Sequence, residues 1–208
     1  MKNIVVLLLV SVFLVSCEKP SDCFESTGDF ITKEFPATAF HTIYIHKGVG
    51  MVLKQGAEYK VEVRTGENLM DNISVEFKED SLDLKDNSSC NWVRDYGQVK
   101  VYVTTPHLNY LKIYSKTEQD IDSDGVLTYD VLHLISLDEI SDGKNGSGTG
   151  DFHIQVNNSQ TIIENNNVSR FYISGQTNEA VMNFYNGNGR IEAGNLIAQN
   201  IHQDRLFR

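Results

Sequence analysis

The chain has 208 residues, Lys+Arg 18 against Asp+Glu 28, and a formal net charge of −10. Acidity of this order argues against nucleic acid and against peripheral binding to anionic lipid. The length suits one domain with a real core, or two small ones.

The chain opens Met1-Lys2-Asn3 and runs on from Ile4 to Val15, apolar except for Ser11. A basic start before an apolar run too short to span a bilayer as a mature helix reads as an export signal. The segment ends Leu14-Val15-Ser16-Cys17, which resembles the lipobox of bacterial lipoproteins. That resemblance implies cleavage after Ser16 and diacylglycerol on the Cys17 thiol, with acyl chains as the membrane contact. The alternative is an ordinary secretory signal followed by a coincidental cysteine. Residues 1–16 are then a signal peptide, 17–30 a lipidated tether and 31–208 a single folded domain. Lipidation leaves Cys23 and Cys90, either as two free thiols or as a disulfide clipping the tether to the body.

Strand signals begin at Phe40-His41-Thr42-Ile43-Tyr44-Ile45 and continue through Met51-Val52-Leu53, Tyr59 to Val63, Ile73 to Phe77 and Ser81 to Lys85. Apolar and polar residues alternate with period two, the mark of half-buried strands. Turn-like stretches such as Lys47-Gly48 and Glu79-Asp80 separate them. Val99 to Val103 and Tyr110 to Tyr114 repeat the pattern, and no amphipathic helix follows the signal.

The second half reads as shorter strands: Val131 to Ile135, Phe152 to Val156, Thr161 to Glu164, Arg170 to Ile173, Val181 to Phe184 and Leu196 to Ala198. Asn- and Gly-dense turns lie between them, suited to positive φ at repeated corners. Gly148-Thr149-Gly150-Asp151-Phe152-His153 and Gly187-Asn188-Gly189-Arg190-Ile191-Glu192 align at a spacing of 39, with Asn166 to Phe171 about halfway. A repeat of about 20 residues is the coil size of a β-solenoid. Asn157-Asn158 and Asn165-Asn166-Asn167 suit ladders at its corners. An antiparallel sandwich with Gly-rich hairpins is the alternative.

The run Gly66-Glu67-Asn68-Leu69-Met70-Asp71-Asn72-Ile73, the following Ser81-Leu82-Asp83-Leu84 and the later Gly-x-Gly coils resemble the head GIN domain family. These are auto-transporter adhesin-like lipoproteins of gram-negative bacteria, and the resemblance runs from about Phe40 to Ile201. It implies a right-handed parallel β-helix and no defining enzymatic activity. Family members continue with further Gly-x-Gly coils, where this chain stops at Arg208.

Asp120-Ile121-Asp122-Ser123-Asp124-Gly125 matches the opening of an EF-hand calcium loop, with oxygen ligands at Asp120, Asp122 and Asp124. The twelfth position is Val131 instead of Glu, so an acidic turn between strands is the competing reading. His41, His46, His107, His133, His153 and His202 show no metal-ligand spacing. Glu76, Asp83 and Glu192 are the acidic residues a β-helix lyase or hydrolase would draw on, without guaranteed pairing. Trp92, Tyr96, Tyr102, Tyr110 and Tyr114 form either a sugar-stacking strip or ordinary core and edge packing.

The expectation is an all-β protein: a parallel β-solenoid of short strands with Gly/Asn-rich turns, anchored to the cell envelope as an outer-membrane lipoprotein. It would display a surface for a glycan or protein ligand, without a cofactor or an enzymatic activity. A periplasm-facing structural or envelope-sensing lipoprotein and a β-helix carbohydrate-active enzyme are the alternatives.

Overall fold

A computed structural model describes residues 26–88, 97–137, 150–185 and 189–205. Cys17, Cys23 and Cys90, with Trp92, Tyr96 and the turn 143–149, lie outside the described residues.

The described chain is all-β: β1(Phe30–Phe35), β2(Thr42–Ile45), β3(Val49–Gln55), β4(Lys60–Gly66), β5(Ile73–Lys78), β6(Ser81–Asp86), β7(Val99–Thr105), β8(Tyr110–Ser115), β9(Ile121–Leu127), β10(Val131–Ser136), β11(Phe152–Asn165), β12(Arg170–Phe184) and β13(Arg190–Arg205). A single 3-10 turn, Met70–Asn72, precedes β5. The alternation drives the strands. In β7, Val99, Val101 and Val103 are buried while Lys100 and Tyr102 face out. In β8, Leu111 and Ile113 point in, and Tyr110, Lys112 and Tyr114 point away.

Two stacks of strands share one core. The first runs β5-β6-β2-β8-β10, the second β1-β4-β7-β3-β9, and both meet at β11. The amino-terminal half of β11 pairs with β9 and the carboxyl-terminal half with β10. β12 and β13 then extend both stacks. The chain passes from stack to stack as it proceeds: β7 to β8, β9 to β10, then within each long strand.

That passage explains why the late strands are longer than their sequence suggests. In β11 the inward residues are Phe152, Ile154 and Val156, then Thr161, Ile163 and Asn165. The phase flips between Val156 and Thr161, so each half turns its alternate side chains to the same interior. Asn157 and Asn158, expected at a corner, continue the strand pairing opposite Gln176 and Thr177. β12 makes the same flip between Ile173 and Ala180.

The repeat of about 20 residues is visible in the register. Phe152 stands beside Phe171, and Phe171 beside Ile191. The Phe152 and Phe171 rings stack at 4.5 Å and 10°. Pairing is parallel from β2 and β3 through to β13.

Two features depart from the parallel helix that the sequence leads one to expect. β1 and β4 run antiparallel at the edge beyond β7, and β5 runs antiparallel to β6. The β5–β6 link is a two-residue hairpin turn with Glu79 at φ 51, which forces the chain back on itself. Nor do Asn157, Asn158 and Asn165 stack on other asparagines, since β12 sets Gln176, Thr177 and Phe184 beside them. Asn165 stands opposite Phe184 and is buried with Asn167, Ser136 and Ser169 in a polar corner. Asn165 Oδ1 accepts from the Asn167 amide at 2.8 Å, and Asn165 Nδ2 donates to the Ser169 carbonyl at 3.1 Å.

Candidate functional site

Parallel strands in register place like positions about 4.8 Å apart, close to the separation at which aromatic rings stack. The outer face of the first stack uses this. Asp83 on β6, Tyr44 on β2 and Tyr114 on β8 are register partners in one row. The Tyr44 and Tyr114 rings stack at 5.1 Å and 14°. Lys112 places its ammonium 5.7 Å from the Tyr110 ring centroid and 5.8 Å from that of Tyr114. His46 Nε2 lies 3.1 Å from Asp83 Oδ1. A cleft of about 550 Å³ is lined by Tyr44, His46, Asp83, Tyr114, Lys116 and Leu137.

On the same outward rows of β8 and β10, Tyr110 Oη and His133 Nδ1 are hydrogen-bonded. Burial pushes the His133 imidazole below its ordinary pKa, against the pull of Glu164 and with a smaller push from Lys112. Burial also raises the Tyr110 and Tyr114 phenols, so both present a neutral hydroxyl at neutral pH. The face therefore offers flat rings, hydroxyl donors, the two lysine cations Lys112 and Lys116 and the Asp83 carboxylate. It can stack on the apolar side of a planar or ring-shaped ligand and hydrogen-bond its edge.

The second stack carries a counterpart. Asp122, His153, Tyr172 and Glu192 are successive partners on β9, β11, β12 and β13. His153 and Tyr172 stack at 4.8 Å and 12°. They line a cleft of about 630 Å³ with Ser123, Gln155, Glu192 and Asn195.

Of the aromatic strip, the structure brings together Tyr110 and Tyr114, and it adds Tyr44, which the sequence does not connect to them. Tyr102 sits on β7 in the other stack, between Glu62 and Val52. Glu76 and Asp83 face each other across β5 and β6. Glu76 turns to Lys78 and Ser74, and Asp83 turns to His46. Glu192 belongs to the other cleft.

Asp120 directly precedes β9, and Asp122 and Asp124 lie along its extended start, where an EF-hand would wind its ligands around the ion. Asp122 pairs with Lys100 at 2.7 Å and with His153 at 3.2 Å. Asp124 pairs with Lys54 at 3.2 Å, and Asp120 accepts the Asp151 amide at 3.2 Å. Among the described residues no group of three or more His, Cys, Asp or Glu is arranged to hold a metal ion.

All six histidines have a carboxylate within 3.1–3.7 Å: His41 with Asp80, His46 with Asp83, His107 with Asp130, His133 with Glu164, His153 with Asp122 and His202 with Glu179. Sequence reasoning misses these pairs because the partners sit on different strands or turns, well separated in the chain.

Comparison with known proteins fits this geometry. The family model described as "Putative auto-transporter adhesin, head GIN domain" matches residues 39–204. A crystal structure of a "putative adhesin" from Bacteroides fragilis is similar at TM-score 0.72 and 21% identity, covering 88% of this chain and 79% of that one. A "putative lipid binding protein" from Parabacteroides distasonis is similar at TM-score 0.59 and 13% identity, covering 87% of this chain and 80% of that one. A "putative adhesin" from the same species reaches TM-score 0.58 at 12% identity, covering 87% and 81%. Identities this low carry the fold alone. No curated protein matches the chain.

Proposed function

We propose, for a chain that belongs to the head GIN domain family of auto-transporter adhesin-like proteins, a role in ligand binding at the cell envelope. The domain is a β-solenoid held to the membrane by acyl chains on Cys17. It displays the Tyr44–Tyr114 face to a glycan or protein ligand, without catalysing a reaction on it.

The observation that carries this reading is the in-register row Asp83–Tyr44–Tyr114, with the two rings stacked and open to solvent on one side. An exposed stack of tyrosines costs little conformational entropy to order and presents a flat apolar surface beside polar groups. Sugar rings are recognised by such surfaces. A long side surface built from repeated strands also suits an extended ligand.

Two measurements test it. A glycan array probed with the full chain should show binding that is lost in Tyr44→Ala and Tyr114→Ala, with melting temperature held. Binding that survives both substitutions removes this face from the function. Protease shaving of intact cells carrying a carboxyl-terminal tag should remove the tag. A tag protected until permeabilisation sinks the adhesin reading and points to a periplasmic partner.

A further inference from the structure

β13 pairs with β12 along one side, and among the described residues no strand takes its other side. It is 16 residues long, and Ile197 and Ile201 on it are 66% and 63% exposed. Ile201 is aligned with the buried Ala180 on the inward row, which no described residue covers beyond β13. An edge of this length, with its amides and carbonyls unpaired, is one that proteins ordinarily cover, blunt or pair.

The charge pattern of the strand says what would pair with it. Arg190, Glu192, Ile197, His202 and Asp204 all lie on the outward row, beside Arg170, Tyr172, Gln176, Val181 and Asn183 of β12. Ile197 is equidistant in sequence from Arg190 and Asp204, and equidistant from Glu192 and His202. Lay a second β13 antiparallel with a two-fold axis at Ile197, and Arg190 falls opposite Asp204 and Glu192 opposite His202. Each pair occurs twice. The two Ile197 side chains meet at the axis, and exposed Ile201 falls opposite Ala193.

Other registers lose this match. A shift of one residue sets inward positions against outward ones. Moving the axis to Ala198 sets Glu192 against Asp204, and moving it to Leu196 sets Arg190 against His202.

We propose that the free edge of β13 binds a second copy of this chain, antiparallel, through a closed two-fold interface centred on Ile197. Such an interface is isologous, so the complementary charges must lie on one strand on either side of the axis, as they do here. The pairing would join both stacks of one copy to both stacks of the other and cover the inward row at Ile201.

The test is sedimentation equilibrium of the full chain in density-matched detergent across the micromolar range. A concentration-dependent dimer is expected. Arg190→Asp and Asp204→Arg should each weaken it by about ten-fold or more, because each sets like charges opposite twice. Both substitutions together restore opposite signs and should restore the dimer. A chain that stays monomeric overturns the proposal, and so does a double variant that associates no better than the single ones. Should a charge variant fail to fold, Ile197→Cys decides. A short thiol crosslinker should give a dimer that the unmodified chain does not give, and its absence overturns the two-fold at this residue.

Discussion

Tyr110 Oη and His133 Nδ1 lie 2.6 Å apart across neighbouring parallel strands, with their rings edge-on at 78°. His133 Nε2 is buried and has no hydrogen-bond partner, at 3.7 Å from Glu164. Burial wins over the nearby carboxylate, and the imidazole titrates below its ordinary range. A histidine depressed in the fold stabilises it above the unfolded pKa of about 6.5, and that contribution is lost as pH falls through the folded value. The His133 ring carbon shifts followed by NMR should therefore titrate below the ordinary range. A midpoint above it would mean that Glu164 controls the ring.

Tyr129 is fully buried, and its hydroxyl bonds Thr105 Oγ1 at 2.7 Å. Burial pushes its phenol up to about 12, partly offset by that bond. The unfolded phenol ionises near 10, so the stabilisation is complete below that pH and is lost between about 10 and 12. Tyr129→Phe should cost about 1–2 kcal/mol at neutral pH through the lost hydrogen bond. It should also flatten the fall in stability above pH 10. Urea melts of both proteins across that range measure the two effects.

Gly175 has φ +102, and a Cβ there would sit 2.0 Å from the Val156 carbonyl oxygen. Gly175→Ala meets both the backbone penalty and a clash with an atom that cannot move aside. The expected loss is about 2–4 kcal/mol. Gly194, where an added Cβ would meet nothing within 4 Å, is the control. Gly194→Ala should stay within about 0.5 kcal/mol of the parent. Equal losses at the two sites would remove the steric account.

Asn165 holds the polar corner by donating to Ser169 and accepting from Asn167. Asn165→Ala takes away a donor and an acceptor in a buried site where water does not replace them. Denaturant melts should show a loss of about 2–3 kcal/mol. A loss under half a kcal/mol would mean that the corner is hydrated.

Much of this fold is legible in the sequence where neighbours in space are also neighbours in the chain. Phe152, Phe171 and Ile191 stand 19 and 20 positions apart and stack in one row, so the late repeat can be read by eye. Tyr110 and Tyr114 share a face because strand side chains repeat every second residue. Tyr44 joins them from seventy positions upstream, since Tyr44 and Tyr114 are register partners. No local pattern carries that offset, and the histidine–carboxylate pairs are hidden for the same reason. β1 leaves no trace in the pattern because it is an exposed edge strand. Its burial, exposed from Phe30 to Glu34, imposes no alternation on the sequence.

The uneven offsets also set an order of assembly. β11, β12 and β13 find their partners about 20 positions away, at a small cost in loop closure. β2 waits for β6 and β8, and β3 waits for β7 and β9, the farther partners seventy positions on. Contacts of such long range slow folding. A chain emerging from its amino terminus can thus pair β2 with β6 and β3 with β7 first, and leaves the other side of each open until β8 and β9 have appeared. The late strands, made last, are the ones able to pair quickly with one another.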